Sequence, residues 1–220
     1  YKEEIMSFLM ASLGAESVKV LSSSIRKRDV QFPKYTTWGT AGENQPIQGV
    51  HVDFTPKYAH QRLEMELGKE GAARISGRRI QVLNIWHPLV GPVRDWPLGL
   101  LDYQSLEPSS DLIASDAIYP HYVAETYNVF HNAKHRWYYL SDQMPSEVFV
   151  FKSSDTKKGA AKGTVIAFYT GVWLFVMNLS LTAAMTVCAH ASFDLGLQVQ
   201  KPRESVDTIV LAVYLEEKAK

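Results

Sequence analysis

His51 and Asp53, in the run VHVDFTP, are the first residues whose types and spacing suggest chemistry. Positions i and i+2 of a strand project from the same face. An imidazole and a carboxylate so placed supply two of the three ligands of a 2-His-1-carboxylate facial triad. That triad holds Fe(II) and leaves coordination positions open. A polar strand face running into a loop carries the same two residues, so the pair alone leaves both readings open. The C-terminal run AHASFDLGLQVQKPRES adds His190, Arg203 and Ser205. The gap from His190 to Arg203 fits one strand, a loop and the start of a neighbouring antiparallel strand. His190 there would be a second imidazole ligand. Arg203 would grip a carboxylate with its planar fork, and Ser205, two residues on, would donate a third hydrogen bond. Such an arrangement suits the far carboxylate of 2-oxoglutarate. The competing reading makes Arg203 a loop charge and His190 a core residue. No general acid or base stands out.

The elements that must position these residues are mostly strands. YKEEIMSFLMASLGAE reads as an amphipathic helix, with Ile5, Phe8, Leu9 and Leu13 on one face and Gly14 as its stop. HQRLEMELGKEGAARI reads as a second, surface helix. VKVLSSSIRKRD begins as a strand and turns polar. VHVDFTP, RRIQVLNIWHPL, VAETYNVFH, HRWYYL, EVFVFKSSD and RESVDTIVLAVYLEE read as strands. Residues 31–49 and most of GPVRDWPLGLLDYQSLEPSSD read as loop, being rich in Pro and Gly. Short hairpin connections and few helices predict a mainly β, α+β chain whose strands form a jelly roll, the double-stranded β-helix.

Composition bounds the function. Lys+Arg and Asp+Glu both number 23, so the net charge is zero, and no long run of like charges occurs. That balance argues against a nucleic-acid partner. Hydrophobic residues at 46% exclude a disordered chain. The lone cysteine, Cys188, forms no internal disulfide and points to a reducing, cytoplasmic setting.

NIWHPLVGPVRDWPLGLLDYQSL, AETYNVFHNAKHRWYYLSDQMPSEVFVFKSSD and PRES together resemble the fungal hydroxylase/desaturase family, which includes gibberellin-desaturase-like enzymes. The resemblance implies a double-stranded β-helix and an oxidoreductase. Its cofactors would be Fe(II) and 2-oxoglutarate, used with O₂ on a small secondary metabolite. Carried over by motif, His51 and Asp53 match the family's His-x-Asp, and Arg203 with Ser205 matches its Arg-x-Ser. His190 in AHASF matches the distal histidine; His135 in HRWYY is the competitor for that place. The family carries Arg where His87 stands in NIWHPL, and its members begin well before Tyr1. The resemblance therefore implies a single, incomplete domain over residues 1–220. A catalytically inactive remnant or partner subunit on the same fold is the alternative.

Between Gly163 and Phe193 there is no Asp, Glu, Lys or Arg. Such a stretch is long enough to cross a bilayer, with KKGAAKG as a positive flank. A spanning helix would put His190 across the membrane from His51. Residues 164–184 are therefore expected to be an apolar insertion in the domain, separate from the metal site; membrane spanning is the least favoured reading. Trp137, Tyr138 and Tyr139 are expected to pack in the core or a pocket wall.

Overall fold

The computed structural model describes residues 1–29, 44–157, 165–169, 175–177, 188–198 and 201–215. Helix α1 (Lys2–Leu13) opens the chain and stops where Gly14 turns left-handed at φ 65°. Strands β1 (Ser17–Lys27) and β2 (His51–Val52) follow, then α2 (Pro56–Arg74). Thr55 caps α2 by accepting from the Tyr58 amide, and Pro56 fills the first helical position. Next come β3 (Ile80–Pro88), β4 (Leu98–Leu101), the short helix α3 (Pro108–Asp111), β5 (Leu112–Ile118), β6 (Val123–Val129) and β7 (Trp137–Tyr138). The rest are β8 (Glu147–Asp155), β9 (Val165–Tyr169), β10 (Phe175–Met177), β11 (His190–Ser192) and β12 (Glu204–Val213).

These strands form two sheets. One has the order β1-β12-β3-β8-β9-β10, the other β5-β6-β2-β11-β4-β7, and the paired strands are antiparallel. Along the chain, β2 lies in the second sheet, β3 in the first, β4–β7 in the second, β8 in the first, β11 in the second and β12 in the first. Winding back and forth between facing sheets makes the expected jelly roll.

The first sheet is covered on both faces, which explains the near-continuous apolar run of β3. On its outer face Leu83, Ile85, Val150, Val210 and Ala212 pack under Leu9 of α1. Leu9 is fully buried, a contribution of about 2 kcal/mol. The inner face of the same strands meets the second sheet and α2, through Val82, Leu211, Val213, Phe54, Tyr58 and Leu63. A neighbouring layer joins Trp86, Phe149 and Phe151 of the first sheet to Leu98 and Leu100 of the second. The alternation of β12 thus sends Ser205, Asp207 and Leu211 inward while Val210 and Ala212 face α1.

Several expectations need correction. LGLL, read as loop because prolines flank it, is β4, a strand buried at all four positions. LIASDAI, to which the sequence reading assigns no element because its apolar residues do not alternate clearly, is β5. β1 continues through SSSIRK, because pairing with β12 over that whole length overrides the poor strand propensity of serine. Trp137, Tyr138 and Tyr139 are exposed rather than in the core, on the second sheet's edge strand and just after it. Within the uncharged stretch, β9 pairs with Glu147–Phe151 of β8, and β10 pairs with β9. The remainder of residues 164–184 lies outside the described residues, as does most of the predicted loop 31–49. Among the described residues no helix is long and apolar enough to cross a membrane.

Candidate active site

The two imidazoles meet because two very short strands are neighbours. His51 of β2 and His190 of β11 are directly opposed in the ladder, so both side chains leave the same face. Their ring centroids lie 4.4 Å apart. Each ring is braced by a carbonyl two residues upstream: His51 Nδ1 by Gly49 O at 2.8 Å, and His190 Nδ1 by Cys188 O at 3.2 Å. A carbonyl only accepts, so each Nδ1 carries a proton, and in the neutral ring Nε2 keeps its lone pair. Both Nε2 atoms face Asp53, which follows β2: His51 Nε2 is 3.5 Å from Oδ1, and His190 Nε2 is 3.5 Å from Oδ2. The three donor atoms lie within 4.8 Å of one another. One cation with bonds of about 2.1 Å holds adjacent donors about 3 Å apart, so the three donors would draw closer together on binding it. Two imidazoles and one carboxylate on one face form a donor set that suits non-haem Fe(II).

Asp53 is fixed from the opposite sheet. Asn84 of β3 donates from Nδ2 to Asp53 Oδ2 at 2.7 Å, and Ser153 of β8 donates in turn to Asn84 Oδ1. Asn84 is fully buried. Asn84→Ala is expected to free the carboxylate to rotate and to lower affinity for Mn(II), an Fe(II) surrogate, by about 10–100-fold. Calorimetric titration of the folded variant with Mn(II) checks this; unchanged affinity would leave Asn84 with no orienting role.

Charge at the cluster is set by burial and proximity. Burial raises the Asp53 pKa, but His190, His51 and the Asn84 hydrogen bond together hold it well below the usual carboxylate range. Burial, reinforced by His51, pushes His190 down to about 4, so its ring is neutral at pH 7. Burial also lowers His51, but its hydrogen bond and attraction to Asp53 outweigh that and leave it raised. A cation arriving at Nε2 of His51 must therefore displace any proton held there, and affinity rises with pH.

Arg203 stands beside this cluster. Its Nη1 donates to Trp96 O and to Ser192 Oγ, both at 2.6 Å, and its guanidinium lies 5.4 Å from the centroid of the Trp86 ring. Its amide donates to Asp95 Oδ2 at 2.7 Å. Burial lowers its pKa to about 9, which still leaves it charged at neutral pH. Nε of Arg203 and Oγ of Ser205 are buried and have no hydrogen-bond partner. Leaving such atoms unpaired costs about 1–3 kcal/mol each, so this is where a ligand's acceptor atoms would be stabilised. Arg203, His51 and His190 line one cavity with Arg26, Trp86, Phe151 and Asp207. The expected geometry was imperfect in one respect: the segment after His190 crosses from the second sheet to the first, so Arg203 faces β11 instead of extending its sheet.

Two other histidines sit elsewhere. His135 lies in the turn before β7, where its Nε2 contacts Asp111 Oδ2 at 2.9 Å. His87 points to the outer face of β3, with Nε2 2.6 Å from Pro145 O and its ring 5.9 Å from that of Tyr1. The arginine-to-histidine change there does not touch the cavity. Sequence reasoning missed two polar residues that do line it, Arg26 and Asp207. Asp207 is one more i+2 step from Arg203 and Ser205, a periodicity that could have revealed it. Its Oδ1 is buried and unpartnered, and burial with nearby Asp53 raises its pKa to about 6.

Comparison with known proteins gives the family and the fold. Residues 1–170 match a family described as "Oxidoreductase/YMDC permease-like domain". The hydroxylase/desaturase efuI of Hormonema carpetanum is 29% identical, over 97% of this chain and 70% of that protein. Aspirochlorine biosynthesis protein N of Aspergillus oryzae is 34% identical, over 73% of this chain and 58% of its own. The Fe(II)/2-oxoglutarate-dependent dioxygenase nvfI of Aspergillus novofumigatus is 29% identical, over 71% of this chain and 54% of its own. The solved structure of the iron and alpha-ketoglutarate-dependent endoperoxidase NvfI superposes with a TM-score of 0.72 at 24% identity, covering 94% of this chain and 66% of that one, which establishes the shared fold. The chain thus spans between 54% and 70% of the length of these relatives. With the family match running from the first helix through both sheets, the chain belongs to this oxidoreductase family, beside the fungal hydroxylases and desaturases that its sequence resembles.

Proposed function

We propose that this protein is an Fe(II)/2-oxoglutarate-dependent oxygenase that hydroxylates or desaturates a small secondary metabolite. The observation that carries the reading is the pairing of two half-sites in one cavity. A two-histidine, one-carboxylate donor set lies beside a buried arginine and serine with unpartnered polar atoms. His51, Asp53 and His190 would hold the iron, and Arg203 with Ser205 the far carboxylate of 2-oxoglutarate. Iron, when bound with its cosubstrate, supplies the activation of O₂ that oxidises a C–H bond. The protein's own task is positional. Gly49 O and Cys188 O set the imidazole tautomers, Asn84 sets the carboxylate, and Trp86 and Phe151 keep the cavity walls apolar so that the charged contacts act in low dielectric. The names of the relatives support the same chemistry. The neutral charge balance favours a small-molecule substrate, and the lone buried Cys188 suits a reducing cytoplasm.

Anaerobic addition of Fe(II) and 2-oxoglutarate to the purified protein is expected to give the visible charge-transfer absorption of a chelated 2-oxo acid. Admitting oxygen is then expected to yield succinate even without a substrate. A folded protein that gives neither signal would be the inactive remnant instead.

A further inference from the structure

Arg26 is unused by this account, yet it faces the same cavity. It lies on β1 directly opposite Ser205 of β12, so its side chain and the Ser205 hydroxyl leave the same inward face. Nη1 donates to Gln45 O at 3.1 Å. Among the described residues no carboxylate lies within ion-pair distance of it. Arg203 is close enough for the two guanidiniums to repel, Arg26 being half-buried and Arg203 buried.

Asp207 shares this cavity and lies close enough to Arg26 to attract it, and Asp53 stands near Asp207. Asp53 is engaged by both imidazoles and by Asn84. Arg28, just after β1, is already matched by Asp95. Arg26 and Arg203 together balance Asp53 and Asp207, so a divalent cation at the histidines leaves an excess of two positive charges. A dianion restores neutrality, and the unpartnered Arg203 Nε and Ser205 Oγ lie on the side of the cavity where Arg26 stands opposite Ser205.

We propose that Arg26 is a second cationic anchor for the far carboxylate of the 2-oxo diacid, gripping it from β1 while Arg203 and Ser205 grip it from β12. This rests on the oxygenase reading of the site. It adds a binding residue lying outside the Arg-x-Ser motif, and it makes the cavity selective for a 2-oxo acid with a second carboxylate.

The test uses the Mn(II)-loaded protein without oxygen, titrated calorimetrically with 2-oxoglutarate and with 2-oxopentanoate. The second ligand has the same chain length but a methyl in place of the far carboxylate. Arg26→Gln is expected to weaken 2-oxoglutarate binding at least about tenfold and to leave 2-oxopentanoate binding unchanged, so the preference between the two collapses. Arg26→Lys, which keeps the charge, should fall between wild type and Gln; it reads the same preference if the Gln variant does not fold. An unchanged preference, or an equal loss for both ligands, overturns the assignment of Arg26 while leaving the oxygenase reading intact. Wild-type protein that binds neither ligand overturns both.

Discussion

Asp53→Ala is expected to lower Fe(II) affinity by well over about 100-fold, more than the loss of an orienting neighbour would. It removes the carboxylate of the three-donor set, and the rigid pair His51–His190 cannot rearrange to replace it. The imidazoles are pinned through Nδ1 to Gly49 O and Cys188 O. His51→Ala should act similarly, leaving one imidazole and one carboxylate. Anaerobic equilibrium dialysis with Fe(II) measures both. The fold should survive, because Asp53 lies outside the regular strands. Retention of wild-type iron affinity by either variant would remove the cluster from consideration as the metal centre.

Arg203→Ala is expected to weaken 2-oxoglutarate binding by about 2 kcal/mol or more, since a desolvated charge pair is lost. Iron affinity should hold, because no Arg203 atom belongs to the donor set. Arg203→Lys keeps the charge without the planar fork and should weaken the cosubstrate less. Thermal stability should fall too. The side chain is nearly sealed from solvent at 3% exposure, stacks over Trp86, and ties Trp96 to Ser192. Titration of the Mn(II) form with 2-oxoglutarate, beside a melting curve, separates the two effects. Equal losses of metal and cosubstrate affinity would make Arg203 a structural residue only.

Much of this was readable before any coordinates. His51 and Asp53 announced themselves by strand spacing, and the jelly roll by strand number and short connections. The strand EVFVFKSSD could be recognised because its first half, VFVF, is continuously apolar, as a strand covered on both faces requires. What stayed hidden was what depends on tertiary pairing. β4 is four residues between prolines, too short to carry a period, and β1 owes its polar second half to its neighbour. The choice between His190 and His135 turned on which strand lies beside β2, a property of sheet order that local composition does not encode. Arg26 was invisible for the same reason: only the register of β1 against β12 brings it to Ser205. The exposed aromatics from Trp137 to Tyr139 look like core residues in sequence and are not, because β7 is the outermost strand of its sheet.

Both histidines of the metal cluster stand on one sheet, while Arg203, Ser205 and Arg26 belong to the other. The separation of the sheets is therefore a caliper. It fixes how long a molecule can be if one end is to reach the metal and the other the arginines. On the oxygenase reading that molecule is 2-oxoglutarate, and a shorter or longer diacid is expected to bind more weakly. The hinge of the caliper is ordinary packing: Phe151 of one sheet presses its ring edge to within 4.8 Å of the His190 ring centroid of the other, and Trp86 backs the arginine. Selectivity for the cosubstrate can thus drift through changes of a methylene or two in side chains that never touch it.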